Sequence, residues 1–290
     1  MKVLILGATG MLGQAVSNEF SDFEGVVILS SRSGAIPHSS PEFAQIGFDA
    51  RADSASQALS QLDRGDYVIN CIGVIKSEID EQSTESLANA TAVNSVFPKS
   101  LAQQAELKGV RIIQIATDCA FSGKAGHYSE SSTHDAQDHY GKTKSDGEVV
   151  SNSMMHLRVS IIGPEIRGHK SLYDWVALQP HGAKVTGYTN HRWNGIPAKH
   201  FGKISRAVIE SGLFKAGTQH IVPRDEVTKA ELVRLIAQHA RRSDLEISDG
   251  FAFDSIDRTL VTENADFNAQ LWAAAGYSIV PSIAELVAEI

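Results

Sequence analysis

The chain has 290 residues, 42% hydrophobic and 21% charged, with a formal net charge of −8. That size and mix suit one large α/β domain or two interlocked ones around a sizeable core. The negative balance argues against nucleic acid and membrane surfaces as partners, because both call for a basic patch.

No apolar run approaches the roughly 18 residues of a membrane span. Met1 leads straight into a strand-like segment, so no signal peptide is expected. The two cysteines, Cys71 and Cys119, make no disulfide framework and point to a reducing, cytoplasmic setting. The 11 histidines are scattered and show no metal-ligand spacing.

Residues 2–6 form an apolar run short enough for a buried parallel strand. It ends in Gly7-Ala-Thr9-Gly10-Met11-Leu12-Gly13, and a helix follows with Leu12, Val16 and Phe20 on one face. Strand, glycine turn and helix are the context of a dinucleotide site. Gly7 permits the turn, Gly10 admits a pyrophosphate and Gly13 lets the helix pack on the strand. Thr9, Met11 and Leu12 belong to the same turn, with the helix N-terminus facing the phosphates. An ordinary glycine-rich turn is the alternative.

Residues 26–29 form a second strand, followed by Ser30-Ser31-Arg32. An NAD-specific protein would place an acid there for the ribose 2′-hydroxyl. Arg32 suits a 2′-phosphate instead, with Ser30 and Ser31 as hydrogen-bond partners. NADP(H) is therefore the preferred cofactor and NAD(H) the alternative. A third strand over residues 43–48 leads to Asp49, and a fourth over 67–71 leads to Ile72 and Gly73. Cys71, Ile72 and Gly73 suit a backbone laid against an adenosine. Residues 84–107 read as one long helix, although Asn94 is a poor interior residue.

Residues 110–116 form the fifth strand and end at Thr117-Asp118-Cys119. Ligands in open α/β sheets bind outside the carboxyl ends of the strands, which places Thr117 to meet a substrate carbonyl. Tyr140 and Lys144 then share a helix face, four residues apart. An ammonium beside a phenol favours phenolate, so the tyrosine pKa should fall toward neutrality and suit proton transfer.

The G-x-x-G-x-x-G turn together with Thr117, Tyr140 and Lys144 resembles the extended branch of the short-chain dehydrogenase/reductase superfamily. That resemblance implies Thr117, Tyr140 and Lys144 as catalytic residues, with Tyr140 and Lys144 also touching the cofactor. It further implies that Asp49 contacts the adenine and that Asn94 holds a water supporting Lys144. The implied fold is α/β: a Rossmann-like doubly wound parallel sheet over residues 1–163, then a smaller α/β substrate domain over 164–290. A helix over 198–211 should return to the first part.

The run Thr117-Asp-Cys-Ala-Phe-Ser-Gly123 with Tyr128-Ser-Glu130 is similar to the dTDP-4-dehydrorhamnose reductase family. This implies NADP(H)-dependent reduction of a nucleotide-activated 4-keto-6-deoxy sugar, in an enzyme that is often a homodimer. Cys119 stands where sugar-nucleotide dehydratases carry a carboxylate, which disfavours dehydration. An epimerase or dehydrogenase of a sugar nucleotide, and a non-catalytic NADP-binding regulatory subunit, are the competing readings.

In the second half, strand 184–187 is followed by Tyr188-Thr-Asn190-His191-Arg192-Trp193-Asn194. Asn190, His191, Trp193 and Asn194 are candidate substrate contacts with Asp118 and Cys119, and Arg192 a candidate for the diphosphate; a tryptophan plugging the core is the alternative. Residues 220–222 suggest a strand. Thr228 and Glu231 form a capping-box pattern before a helix. Arg258 is a late candidate for a substrate phosphate, with a surface ion pair as the alternative.

Overall fold

The computed structural model describes residues 1–36 and 42–290. Among these, seven parallel strands make one sheet. Strands β1 (Lys2–Leu6), β2 (Val26–Ser31), β3 (Ala44–Gly47), β4 (Tyr67–Asn70), β5 (Arg111–Ala116) and β6 (Met154–Arg158) come from the first half. Gly217–His220 from the second half adds an edge strand beside β6. Across the sheet the order is edge strand, β6, β5, β4, β1, β2, β3. The order reverses between β1 and β4, the crevice where such sheets bind ligands.

Both faces of the sheet's middle are covered, which is why β1, β2, β4 and β5 are largely apolar without alternation, whereas the edge strand β3 is mostly exposed. One face packs against helix α1 (Met11–Glu19), the helix Ala198–Glu210 and Trp272. The other packs against the helix Phe97–Lys108 with Phe48, Leu59 and Leu62. The helix Ala198–Glu210 packs along α1, where Gly202 lies against Val16.

A smaller unit sits above the carboxyl ends of β5 and β6. There, Lys184–Tyr188 pairs with Glu246–Gly250. His191–Trp193 lies between Val227–Thr228 and Ile256–Asp257. Its core gathers Val176, Trp193, Leu232, Val233, Ile236 and Ile283. The helix Lys229–His239 begins with a full capping box between Thr228 and Glu231.

Several boundaries differ from the sequence reading. The long helix expected over 84–107 is interrupted by a π-helical turn, Ala92–Val96, which contains Asn94. The carboxamide of Asn94 bonds outside the helix, and such bulges recur at functional sites. The strand expected at 220–222 lies earlier, at Gly217–His220, because it pairs with β6 in register Gly217↔Met155. No helix among the described residues is long and apolar enough to cross a membrane.

Candidate active site

The turn after β1 is built by its glycines. Gly7 has φ +78°, a left-handed conformation that favours glycine. A Cβ on Gly13 would come within 2.1 Å of the Gly7 carbonyl oxygen, so α1 approaches the turn only because Gly13 has no side chain. A Cβ on Gly10 would meet nothing nearer than 3.6 Å, which leaves an open cradle. No side chain caps α1 at Gly10, so its first amides are free to face an anion. Leu12 is buried and offers only its backbone there; Thr9 is exposed and Met11 half-buried. The end of β4 closes the cradle: Ile72 N donates to Asn70 Oδ1 at 3.1 Å, and the Ile72 side chain abuts Gly7. These features fit a dinucleotide, with Gly7–Leu12 at the pyrophosphate and Cys71–Gly73 alongside. Burial pushes the Cys71 thiol up, against the opposing charge of Lys144, so the thiol is protonated.

At the end of β2 the expected trio separates. Ser30 is fully buried and accepts from Gly7 N at 3.1 Å, so it fastens the glycine turn. Ser31 is buried and donates to Ala35 O at 3.2 Å. Arg32 is exposed and, among the described residues, has no hydrogen bond or ion pair. Asp49 grips Arg51, with Arg51 Nε at 2.9 Å from Oδ1, and lies well down at about 2, chiefly through that bond. It does not cap the next helix, whose cap is Ser54.

The second cluster forms where β5 ends. Thr117 Oγ1 accepts from Cys119 N at 3.1 Å and donates to Asp118 Oδ1 at 3.2 Å. Tyr140 comes up beside it on the helix His139–Asp146, close enough for the Thr117 hydroxyl to act on its phenol. Asp138 caps that helix, accepting from Gly141 N at 2.8 Å. A Cβ on Gly141 would sit 2.2 Å from the Cys119 carbonyl, so the glycine beside Tyr140 brings the helix onto the turn. Lys144 is buried one turn on and donates to Ile115 O at 3.1 Å.

The electrostatics correct one expectation. The Tyr140 hydroxyl is raised, not lowered: burial dominates, Cys119 adds to it, and the neighbouring Thr117 hydroxyl opposes. Lys144 is itself lowered to about 8 by burial, with Glu148 opposing, and its ammonium is turned to Ile115. Tyr140 is therefore a neutral phenol at neutral pH, ready to donate. Burial likewise pushes Cys119 up to about 12, which leaves it a thiol and not a base.

Asn94 is buried, not solvent-facing. Its Oδ1 accepts from Val74 N at 2.9 Å, and its Nδ2 donates to Val74 O at 2.9 Å and Thr143 Oγ1 at 3.2 Å. Both ends of the carboxamide are thus engaged by protein, and the residue clamps the post-β4 loop to the helix that carries Tyr140.

The second-half candidates also have protein partners. Asn190 is tied in both directions to Ala252, and His191 Nε2 lies 2.9 Å from Asp254 O. Arg192 pairs with Glu226. Asn194 is buried against Leu260, giving 2.7 Å and receiving 2.9 Å. Trp193 is 3% exposed and donates to Ser160 Oγ at 2.9 Å, so it fills the core and does not present its face to a base. Arg258 is no surface ion pair; its Nε donates to Phe121 O at 2.8 Å, and its charge reaches Asp118. Sequence reading missed Lys229, whose ammonium is 5.2 Å from the Trp193 ring and whose charge also reaches Asp118. Its only local signal was a place beside the Thr228 cap.

Comparison with known proteins follows this geometry. Methionine adenosyltransferase 2 subunit beta of Xenopus tropicalis is 33% identical over 147 residues, 51% of this chain and 41% of that protein. The chain therefore spans well under half the length of that relative. A crystal structure of a dTDP-4-dehydrorhamnose reductase from Clostridium acetobutylicum superposes with a TM-score of 0.77 at 19% identity, covering 100% of this chain and 98% of that one. A dTDP-4-dehydrorhamnose reductase from Bacillus anthracis, solved with NADP, gives 0.76 at 17% identity, covering 99% and 97%. The family model described as RmlD substrate binding domain matches residues 1–249, and the chain belongs to that family.

Proposed function

We propose that the chain is an NADP(H)-dependent reductase of a nucleotide-activated keto-sugar, with a 4-keto-6-deoxyhexose as first candidate. The observation that carries this reading is Tyr140, a protonated phenol beside Thr117 at the carboxyl end of β5, with Lys144 one helical turn away. When bound, the dihydronicotinamide supplies hydride. Thr117 orients the substrate carbonyl oxygen, and Tyr140 donates the proton that the forming alkoxide takes up. Lys144 holds positive charge beneath the site and binds the nicotinamide ribose. Gly7–Leu12 hold the pyrophosphate, Cys71–Gly73 flank the adenosine, and Arg32 meets the 2′-phosphate. Asp118 and Cys119 line the sugar.

The test is NADPH oxidation with a dTDP-4-keto-6-deoxyhexose. Wild type should consume cofactor stoichiometrically, whereas an epimerase would show no net consumption. Tyr140→Phe should lose about 10²–10⁴-fold in turnover while still binding NADPH. Full turnover by the variant would remove Tyr140 from the reaction.

A second reading is a regulatory NADP-binding subunit, favoured by the methionine adenosyltransferase subunit among the relatives. Inertness of the wild type toward keto-sugar nucleotides, with NADPH binding intact and a defined partner copurifying, would favour it over catalysis.

A further inference from the structure

Lys229 opens the helix Lys229–His239 and points its half-buried ammonium over the Trp193 ring, 5.2 Å from the centroid. Trp193 is itself fixed by its bond to Ser160, just beyond β6. The lysine is thus held above the carboxyl ends of the strands by a rigid aromatic platform. The helix end beneath it is closed by its own capping box, so the positive character here belongs to side chains.

Among the described residues, the Lys229 ammonium has no hydrogen-bond acceptor. Arg258 uses Nε on Phe121 O, while its two Nη groups have no acceptor among the described residues. Both cations act on one buried carboxylate, Asp118, which is already bonded to Thr117. The other nearby acid, Asp138, is taken by Lys76 at 2.8 Å and by Gly141 N. Three cations, Lys76, Arg258 and Lys229, thus face two carboxylates. The half-buried ammonium and guanidinium thus keep donors that a ligand acceptor can fill.

We infer that Lys229, with Arg258, binds an anionic oxygen group of the substrate. This rests on the nucleotide-sugar reading above and deepens it. The shared chemistry is a phosphate or carboxylate oxygen accepting charge-assisted bonds; its source is either the diphosphate or an acidic group on the sugar. Trp193 acquires a role in this arrangement as a positioning residue that aims Lys229.

Calorimetry on the NADPH-loaded full chain tests the assignment, with dTDP, UDP, UDP-glucose and UDP-glucuronic acid as probes and Lys229→Gln and Lys229→Arg as variants. If the diphosphate is the source, Lys229→Gln weakens dTDP and UDP roughly tenfold or more, and Lys229→Arg restores most of it. If a sugar carboxylate is the source, Lys229→Gln spares the diphosphates and UDP-glucose and weakens UDP-glucuronic acid by a similar factor. NADPH affinity and the unfolding temperature of both variants should stay at wild-type values. Unchanged affinity for every probe in Lys229→Gln would overturn the assignment while leaving the nucleotide-sugar reading standing. Binding of none of the probes by wild type, with NADPH bound, would overturn both.

Discussion

The glycine turn at residues 7–13 and the polar segment at 188–194 look equally loaded with function in the sequence, yet they behave differently. In the first, residue identity is dictated by backbone geometry a few residues away: Gly7 by its φ of +78° and Gly13 by the Gly7 carbonyl. In the second, the polar side chains bond partners far along the chain. Asn190 and His191 hold the loop at 252–254, and Asn194 holds Leu260. A local constraint is readable from local sequence; a side chain's use depends on what the fold later brings to it.

The sharpest way to break this contrast is Gly13→Val. Its side chain must enter space already occupied by Gly7, so α1 and the pyrophosphate cradle move apart. Overpacking of this kind costs about 1–3 kcal/mol in stability. We expect a lower unfolding temperature and the loss of NADPH binding by calorimetry. A variant with wild-type values for both would show that the turn is not the cofactor's seat.

The same distinction explains how much of the molecule was legible. Strands β1, β2, β4, β5 and β6 follow from short, mostly apolar runs that end near Gly, Ser, Asn or Thr, as the covered part of the sheet demands, whereas β3 is a largely exposed edge strand. Thr117, Tyr140 and Lys144 were found because strand-end and i,i+4 geometry are periodic properties. The π-helical turn at Asn94 was hidden because its cause is a bond to Val74, twenty residues earlier. The direction of the Tyr140 shift was also hidden: sequence shows the neighbouring lysine, whereas burial, the larger influence, is a property of the fold. Lys229 and Arg258 converge on Asp118 from more than a hundred residues away, with no pattern to announce them.

Asn194→Ala probes the second region. The substitution strips Leu260 of partners for both its N–H and its C=O, and Leu260 is 2% exposed. Each orphaned group costs about 1–3 kcal/mol, so denaturant unfolding should show a clear loss of stability. Nucleotide affinity measured under folded conditions should change little. The reverse pattern, wild-type stability with lost nucleotide binding, would return Asn194 to the substrate site and erase the contrast between the halves.

Arg32→Ala carries the smallest expected effect and bears on the one part of the glycine-turn region where the residues named together do different jobs. Ser30 is committed to Gly7 and Ser31 to Ala35, which leaves the exposed Arg32 as the group available to a 2′-phosphate. Asp49 is kept ionised mainly by Arg51, with Arg32 contributing least, so removing Arg32 leaves that pair in place. The variant should therefore lower the NADPH-to-NADH ratio of kcat/KM roughly tenfold through a single lost charge-assisted contact. NADH turnover itself should hold, because the glycine cradle and Thr117, Tyr140 and Lys144 are untouched. An unchanged ratio would mean that the 2′-position is not read by Arg32, and the preference for NADP(H) would lose its only side chain.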